Sequence, residues 1–449
     1  MPDASTATAT ATTGIAPAAV PARRSAWKVV VLASLGGGLE IYDFIIYGVF
    51  ALQIGTQFFP KSDPFVALLS AFAVFALGYV SRPLGAGVLG SLGDRLGRRP
   101  MFLLSVMVMS GCTIAVGLLP TYASIGILAP LLLVLLRLTQ GFFLAGELAC
   151  SITYVVEEIP GKASLVIGMV VFCLHSGVVL ATLVSLAVHT YLPAKAVLAY
   201  GWRIAFVLGG LTGLLSYWLR TSLEESQEYV ALKGQVSRRP LRQVLAEMPL
   251  PVLAGIGVSS ILNVGNSMLF VLLPAYLTRV LHDPVHDVGL AQAAALAAMA
   301  PAILLVGWLG QRIAPRRLHA LGSLLMLLGG YPVYKGLVSH AISPMQAYLM
   351  LGMTNVLVSA TYSYLLADLF PTRLRFSGVA LSLNMATVVF TAITPLLVTA
   401  LIHATGDRAA PGLYLSLIAL LGLASGLLAK PLSGRIANAA QSPAIAATR

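Results

Sequence analysis

The sequence predicts an all-α membrane protein with twelve transmembrane helices, arranged as two similar bundles of six. Three observations predict this fold class. Of the 449 residues, 58% are hydrophobic and only 10% are charged, whereas soluble domains carry about 25% charged residues. The apolar residues form runs of about 20 to 30 residues, which can cross a hydrocarbon core as helices. Finally, two short motifs from the first half of the chain recur in the second half.

Charged and turn residues separate the predicted spans. Six spans are expected to form an N-terminal bundle within residues 27–221, and six a C-terminal bundle within 250–430. The charged segment 222–249 is expected to be a cytoplasmic linker, and residues 1–26 and 431–449 disordered cytoplasmic tails. The predicted spans are 27–54, 63–90, 100–119, 124–155, 162–190, 200–221, 250–279, 286–314, 318–338, 344–371, 374–402 and 411–430.

The basic residues indicate an orientation with both termini in the cytoplasm. In this orientation, 20 of the 28 lysines and arginines fall in cytoplasmic segments, six near outside loops and two, Arg82 and Arg137, within spans. Such an excess of positive charge is typical of the cytoplasmic side of a bacterial inner-membrane protein. We therefore attribute the net charge of +12 to orientation in a lipid bilayer and not to nucleic-acid binding.

Two motifs repeat between the halves. GSLGDRLGRR at 90–99 shares the pattern G-x-L-G-[DQ]-R-[LI]-x-x-R with GWLGQRIAPR at 307–316, at an offset of 217 residues. The acid and proline of EEIPGK at 157–162 recur in DLFPTR at 368–373, at an offset of 211. Two nearly equal offsets predict two structurally similar bundles, the usual architecture of transporters that rock about a central site.

The motif GSLGDRLGRRP resembles the loop signature between the second and third helices of the major facilitator superfamily, G-x-x-x-D-R-x-G-R-R. Within that superfamily, the chain resembles the metabolite:proton symporter branch, and within the branch the citrate or tricarballylate proton symporters. The resemblance rests on LEIYDFIIYG (39–48), SRPLGAGVLG (81–90), APLLLVLLRLTQG (129–141), RLTQGFFLAGE (137–147), GWRIAFVLG (201–209), LEESQEY (223–229) and LIHATGDRAAPG (401–412).

This resemblance implies the major facilitator fold and alternating access around a central site. It implies a monomeric symporter of protons and a small organic anion, such as a di- or tricarboxylate, with no metal or organic cofactor. A proton symporter of zwitterionic osmolytes of the betaine or proline type is the main alternative, and a proton-coupled efflux antiporter is a third. An enzyme is not expected, because the sequence lacks HExxH, GxSxG, a Walker loop and paired Cys ligands.

The resemblance also implies a conformational latch between the bundles at the cytoplasmic ends of helices two and three. Gly93 and Gly97 are expected to permit a tight turn there. Ordinary positive-inside loop charge is the alternative explanation. Glu157 and Asp368 are expected to form equivalent networks by pairing with nearby arginines, such as Arg98 and Arg373 or Arg375. The predicted latch residues are Asp94, Arg95, Arg98, Arg99, Glu157, Asp368, Arg373 and Arg375.

The first span contains two carboxylates, Glu40 and Asp43, within GGGLEIYDFIIYG. At 100° per residue, Glu40, Asp43 and Tyr47 lie within about 60° of one another on one helix face. A charge at membrane depth costs several kcal/mol unless it meets water or a partner. We therefore expect this face to look into the central cavity or against another polar helix.

Arg137 in the fourth span lies at a depth similar to that of Asp43, about 27 Å and 24 Å from the inner helix ends at 1.5 Å per residue. An ion pair between Arg137 and Asp43, or through Glu40, is therefore predicted. A substrate anion can compete for Arg137 while the protein acid takes a proton. Asp43 is the first candidate for proton coupling, with Glu40 and Glu147 next. Tyr47 and Gln140 are candidate substrate ligands. A permanent structural pair remains the alternative.

Further polar residues in the spans are candidate substrate ligands. Arg82 is expected either to line the inner cavity or to snorkel or pair with Glu147. His175 is expected either to act in the site or to bond a neighbouring hydroxyl. In the second half, hydrogen bonding between helices is the alternative to substrate binding for the candidates Asn263, Asn266, Tyr362 and Asn384.

Overall fold

The computed structural model describes residues 37–38, 41–43, 45–59, 64–158, 163–222, 225, 240–391 and 393–440. All regular structure in these residues is helical, and the helices follow the order of the twelve predicted spans. We label them α1 to α12. The predicted N-terminal tail, Glu40 and most of the predicted linker lie outside the described residues.

The first half contains α1 to α6. In α6, a π-helical segment at Val197–Gly201 joins the two α-helical parts. The bounds are α1, residues 37–38, 41–43 and 45–49 with Ala51–Phe58; α2, Pro64–Val80 and Arg82–Leu96; α3, Arg98–Leu118; α4, Leu128–Glu158; α5, Ala163–Tyr191; and α6, Ala194–Ala196 and Trp202–Arg220 with the π-helical segment between them.

The second half contains α7 to α12, and α7 and α11 each contain a π-helical segment. Between the halves, Pro240–Glu247 forms a short helix within the predicted linker. The bounds are α7, Pro249–Ser267, π-helical Met268–Leu272 and Leu273–Arg279; α8, Val285–Leu309; α9, Pro315–Val338; α10, Pro344–Ser359 and Tyr362–Asp368; α11, Arg375–Ala386, π-helical Thr387–Thr391 and Thr394–Thr405; and α12, Ala410–Ala440.

Ten helices within the described residues are long and apolar enough to cross a membrane, and they match the third to twelfth predicted spans. The second predicted span is divided by a turn at Ser81 into helices of 17 and 15 residues. The first span is only partly described. The last helix continues to Ala440, ten residues past its predicted end, so the helical structure extends into the predicted tail.

The signature 90–99 is helical for most of its length, which corrects the prediction of a loop. Helix α2 continues to Leu96, and α3 begins at Arg98. Only Gly97 makes the turn, with a φ of 114° that favours glycine. Gly93 is helical, and its lack of a side chain serves packing instead, because a Cβ there would collide with the ring of Phe376 in α11.

The two halves meet through glycine contacts at two helix pairs. A Cβ on Gly90 of α2 would lie 3.1 Å from the Cα of Ser377 in α11. A Cβ on Gly168 of α5 would lie 3.2 Å from the Cα of Gly307 in α8. Small residues let membrane helices approach closely, so these contacts hold α2 against α11 and α5 against α8.

Apolar side chains divide between the protein core and its outer surface. One buried cluster extends through both halves, and a second, which includes Ile46, Phe58 and Trp202, lies within the first half. Large apolar side chains such as Leu84 and Leu328 are exposed on the outside. This distribution fits a molecule surrounded by lipid, where exposed apolar surface is favourable.

Candidate functional site

The predicted pair between α1 and α4 is present. An Nη1 atom of Arg137 lies 3.0 Å from Oδ2 of Asp43. Both residues are buried, with exposed fractions of 5% and 8%. Removing two charges from water is expensive, and their mutual attraction offsets that cost only with good geometry and additional hydrogen bonds. Each of the two charges is therefore stabilised at this depth by the other.

Two uncharged side chains complete the coordination of Asp43. Thr113 of α3 donates from its hydroxyl to Oδ1 of Asp43 at 2.9 Å. The amide of Gln140 donates to the Thr113 hydroxyl at 2.9 Å and lies 3.3 Å from Oδ2 of Asp43. The candidate Gln140 is therefore part of the carboxylate network, and Thr113 is a member that the sequence did not indicate.

Aromatic rings hold the guanidinium of Arg137 in place. Its central carbon lies 3.8 Å from the centroid of the Tyr47 ring and 5.7 Å from that of Phe206. The hydroxyl of Tyr47 donates to the carbonyl of Ala71 at 3.0 Å. A cation over an aromatic face is attracted by the ring quadrupole, so Tyr47 positions Arg137.

One edge of the Arg137 guanidinium has no acceptor. Its Nε and Nη2 atoms are buried and lack a hydrogen-bond partner among the described residues. These two atoms form the fork that binds a carboxylate in a bidentate manner. Among the described residues, this edge of Arg137 therefore keeps two unused donors while Asp43 occupies Nη1.

Glu147 belongs to a separate ion pair, since Nη1 of Arg220 lies 2.7 Å from its Oε1 atom. Arg220 is fully buried and stacks on the ring of Phe102 at 3.9 Å. This pair corrects the suggestion that Arg82 is the partner of Glu147.

Arg82 stacks on the ring of Tyr79, with its guanidinium carbon 4.5 Å from the ring centroid. It forms no ion pair with any residue that the structure describes. At 100° per residue it points about 160° away from the exposed Leu84. Arg82 therefore lies on the side of α2 opposite Leu84, and its role in the inner cavity stays a prediction.

His175 lies at the boundary between the halves. Its Nδ1 atom is 2.9 Å from the carbonyl oxygen of Val171. The hydrogen-bond partner is therefore a backbone carbonyl and not the neighbouring hydroxyl that the alternative predicted. Its ring makes an edge contact with Phe270 of α7, at a centroid distance of 6.2 Å. His175 therefore faces a side chain of the opposite half.

The polar candidates of the second half form hydrogen bonds to other residues of the protein. Thr391 donates to the side-chain oxygen of Asn263 at 2.9 Å, and Asn355 to that of Asn266 at 2.9 Å. Asn384 donates to the carbonyl of Ala145 in α4 at 3.0 Å and to that of Ala380. Tyr362 is buried. These contacts favour hydrogen bonding between helices for Asn263, Asn266 and Asn384 in this conformation.

The predicted latch residue Asp94 joins α2 to α3 and α11. Its Oδ1 atom lies 3.2 Å from Nη1 of Arg98. Its Oδ2 atom accepts a hydrogen bond from the backbone amide of Ser377 at 2.8 Å, near the start of α11, where a negative charge is favourable. Arg98 also donates to the carbonyl of Thr372 at 2.7 Å. The network therefore connects the two halves at the end of the bundle that the basic residues place in the cytoplasm.

Glu225 attaches the start of the linker to this network. Its carboxylate accepts from the backbone amides of Arg98 at 2.9 Å and Arg99 at 3.2 Å. Arg99 in turn donates to the carbonyl of Thr221 at 2.9 Å. A carboxylate at a helix N-terminus satisfies otherwise free amides, so Glu225 stabilises the first turn of α3. The sequence did not indicate this role.

In the second half, the ion pairs differ from the prediction. Asp368 pairs with Arg316 at 2.6 Å and not with the expected Arg373 or Arg375. Arg375 donates to the carbonyl of Phe370, and Arg373 is exposed. The partner is Arg316 because the repeated motif places this arginine at the start of α9, beside α10. The side chain of Glu157 lies outside the described residues, and Arg95 is exposed.

The described residues contain no group of three or more His, Cys, Asp or Glu side chains that could hold a metal ion. The cysteines Cys112 and Cys150 are buried, Cys173 is partly buried, and all three are free. The expected independence from metals and cofactors stays a prediction.

The fold and the site together define a class: a multi-pass membrane carrier of two helical halves, with charges buried inside one half and a polar network joining the halves. A family model described as Major Facilitator Superfamily matches residues 33–385 and 255–445. The chain belongs to the major facilitator superfamily.

Relatives with assigned names are bacterial transporters. The chain is 31% identical to the proline/betaine transporter of Salmonella typhimurium over 91% of this chain and 84% of that protein. It is 31% identical to the glycine betaine/proline/ectoine/pipecolic acid transporter OusA of Dickeya dadantii, over 90% and 83%. The Escherichia coli proline/betaine transporter is 30% identical, over 91% and 84%.

Solved structures support the fold. The proton:xylose symporter XylE bound to 6-bromo-6-deoxy-D-glucose superposes with a TM-score of 0.75, at 15% identity, over 90% of this chain and 94% of that chain. The inward open conformation of XylE from E. coli gives a TM-score of 0.61, at 16% identity, over 90% and 95%.

These relatives correct the substrate expectation. They are proline and betaine transporters and not citrate symporters. The resemblance to citrate or tricarballylate symporters therefore identified the superfamily correctly, but the relatives reported above carry the names of another substrate group. The relatives favour the alternative of a zwitterionic osmolyte.

Proposed function

We propose that this protein is a secondary active transporter of the bacterial inner membrane, with both termini in the cytoplasm. It couples proton entry to the uptake of a small zwitterionic solute of the proline or betaine type. The buried ion pair of Asp43 and Arg137 is the observation that carries the proposal. The names of the relatives supply the substrate class.

Asp43 and Arg137 support coupling because one group bears the proton and the other can hold a carboxylate. Protonation of Asp43 removes the charge that holds Arg137, so the guanidinium becomes more available to the substrate carboxylate. By thermodynamic reciprocity, a bound substrate carboxylate favours protonation of Asp43. Thr113 and Gln140 donate hydrogen bonds to the same network and keep Asp43 oriented through this exchange.

The Asp94 network supports alternating access. In this conformation it joins α2, α3 and α11, so one entrance to the space between the halves is closed at that end. Opening towards the cytoplasm requires these contacts to break. The network then acts as the latch that the sequence predicts.

Transport in proteoliposomes tests the proposal. With an imposed inward proton gradient, labelled proline and glycine betaine are expected to accumulate, and a protonophore is expected to abolish the accumulation. Labelled citrate is not expected to accumulate. The proposal would be contradicted if only citrate accumulated, or if uptake of the zwitterions did not depend on the proton gradient.

The variant Asp43→Asn, in the same assay, distinguishes a proton-coupling role of Asp43 from a purely structural role in the ion pair. The amide cannot carry the coupled proton, so gradient-driven accumulation is expected to disappear while exchange of labelled for unlabelled substrate continues. Asp407→Asn is the matched control, because Asp407 caps the start of α12 through the amide of Ala409 at 2.8 Å. Full gradient-driven accumulation by Asp43→Asn would show that the pair is structural only.

A further inference from the structure

The tautomer of His175 follows from its hydrogen bond. The Nδ1 atom lies 2.9 Å from the carbonyl oxygen of Val171, one helical turn earlier in α5. A carbonyl can only accept, so Nδ1 carries the hydrogen and Nε2 of the neutral ring is an acceptor. The imidazole therefore presents a lone pair and not an N–H group at its outer nitrogen.

This acceptor is buried and has no donor among the described residues. His175 as a whole is 9% exposed. A buried polar atom without a partner is costly, and buried acceptors are satisfied in the great majority of cases. A ligand that brings a donor to Nε2 would remove this cost, which makes the atom a candidate ligand contact.

The position of His175 between the halves is suited to a transported ligand. Its ring contacts Phe270 of the second half at a centroid distance of 6.2 Å. Phe270 belongs to the π-helical segment Met268–Leu272, and its carbonyl accepts from Gln292 of α8 at 3.5 Å. Such π-helical segments frequently occur at functional sites, and transporters bind substrate at the interface of their two repeats.

We propose that Nε2 of His175 accepts a hydrogen bond from an ammonium N–H group of the substrate, beside the ring of Phe270. This inference rests on the proposed function and adds a selectivity rule to it. Secondary and primary ammonium zwitterions, such as proline, supply the donor. Quaternary ammonium zwitterions, such as glycine betaine, have no N–H group and gain nothing from His175. The rings leave no room between them, so the halves separate at this contact when substrate binds.

Phe270 contributes to both substrate types. An aromatic ring attracts cations whether or not they carry an N–H group. The hydrogen bond, in contrast, discriminates, because a site that is built to bond an N–H group disfavours an analogue without one. Substitution of His175 is therefore expected to change the KM for proline only, whereas substitution of Phe270 is expected to change the KM for both substrates.

The test compares proline with glycine betaine in proteoliposomes that contain His175→Leu, His175→Gln or Phe270→Leu. His175→Leu is expected to raise the KM for proline about tenfold, the effect of one hydrogen bond to a charged group, and to leave the KM for glycine betaine unchanged. His175→Gln is expected to restore most of the proline affinity through its side-chain oxygen. Phe270→Leu is expected to raise both KM values.

Uptake of glycine betaine shows in each variant that the protein is folded and active. Equal changes for both substrates in His175→Leu would show a structural role and overturn the inference, as would no change for either. If the wild-type protein took up glycine betaine but not proline, this inference would be overturned and the proposed function would still stand. If the wild-type protein took up neither substrate, the proposed function would fail first.

Discussion

At the scale of residues, the part of the molecule that the structure describes contains three buried charge pairs. Asp43 pairs with Arg137 between α1 and α4, Glu147 pairs with Arg220 between α4 and α6, and Asp94 pairs with Arg98 between α2 and α3. Removal of one member of a buried pair leaves an uncompensated charge, whereas removal of both is often tolerated. This asymmetry allows a buried pair to be recognised from protein stability, and transport assays then distinguish structural pairs from pairs that carry protons.

The pair of Glu147 and Arg220 can be tested by a double-variant cycle. Arg220→Met is expected to destabilise the purified protein by about 3–5 kcal/mol, because Glu147 is left buried without a cation. The double variant Glu147→Gln with Arg220→Met is expected to recover most of the thermal stability. Thermal unfolding in detergent measures both effects.

Transport by the double variant distinguishes the two roles of Glu147. Gradient-driven accumulation of proline is expected to persist if the pair is structural, with Asp43→Asn as the uncoupled reference. A stable double variant that exchanges substrate but no longer accumulates it would instead support the predicted proton-coupling role of Glu147.

Sequence alone predicted part of this charge arrangement. Asp43 and Arg137 could be paired because both lie deep in apolar spans at similar heights. Arg220 could not be recognised, because it ends a span and resembles an ordinary loop charge until α6 packs against α4. Thr113 was missed for a similar reason, since one hydroxyl in an apolar run more often bonds its own helix.

At the scale of elements, glycines determine how closely the helices of the first half pack. A Cβ on Gly177 of α5 would collide with the backbone carbonyl of Gly38 in α1, and a Cβ on Gly141 of α4 would collide with that of Gly78 in α2. Backbone atoms cannot move aside as the end of a flexible side chain can. These crossings therefore fix the position of α1 and α2 around Asp43.

Gly177→Ala is expected to destabilise the protein by about 1–3 kcal/mol, the usual cost of overpacking a well-packed interior. Gly111→Ala in α3 is the matched control, because a Cβ there meets nothing within 4 Å and alanine favours a helix over glycine. The thermal unfolding midpoint in detergent is expected to fall for Gly177→Ala only. Equal midpoints for the two variants would show that α1 and α5 are not in close contact.

The order of the elements followed from hydropathy, but their interruptions did not. Hydropathy averages over a window of residues and therefore predicted α2 as one continuous span, although a turn at Ser81 divides it. The π-helical segments Met268–Leu272 and Thr387–Thr391 have no composition that marks them. Residues of these segments make contacts between helices, such as the hydrogen bond from Thr391 to Asn263, which a sequence does not reveal.

At the scale of the whole molecule, the contacts between the halves include those of α2 with α11 and of α5 with α8. Gly90 and Ser377 form the first contact, and Gly168 and Gly307 form the second. In alternating access, the two halves separate at one side of the membrane and then at the other. A covalent connection at such a contact should therefore stop the transport cycle.

A cysteine pair at positions 168 and 307 tests this requirement. In a background with Cys112, Cys150 and Cys173 replaced by Ala, oxidation of Gly168→Cys with Gly307→Cys is expected to form a disulfide and to abolish uptake. Reduction is expected to restore uptake. Each single cysteine variant is the control, and full transport by the oxidised pair would show that α5 and α8 stay together throughout the cycle.

The carboxylate of Glu225 binds backbone amides of α3, and this has a practical consequence for dividing the polypeptide. Backbone amides are present whichever side chains occupy positions 98 and 99, so this attachment tolerates changes in the arginines themselves. The beginning of the connecting segment therefore moves as part of the first half. If the halves are expressed as two separate chains, or a reporter domain is inserted between them, the polypeptide should be divided downstream of Glu225.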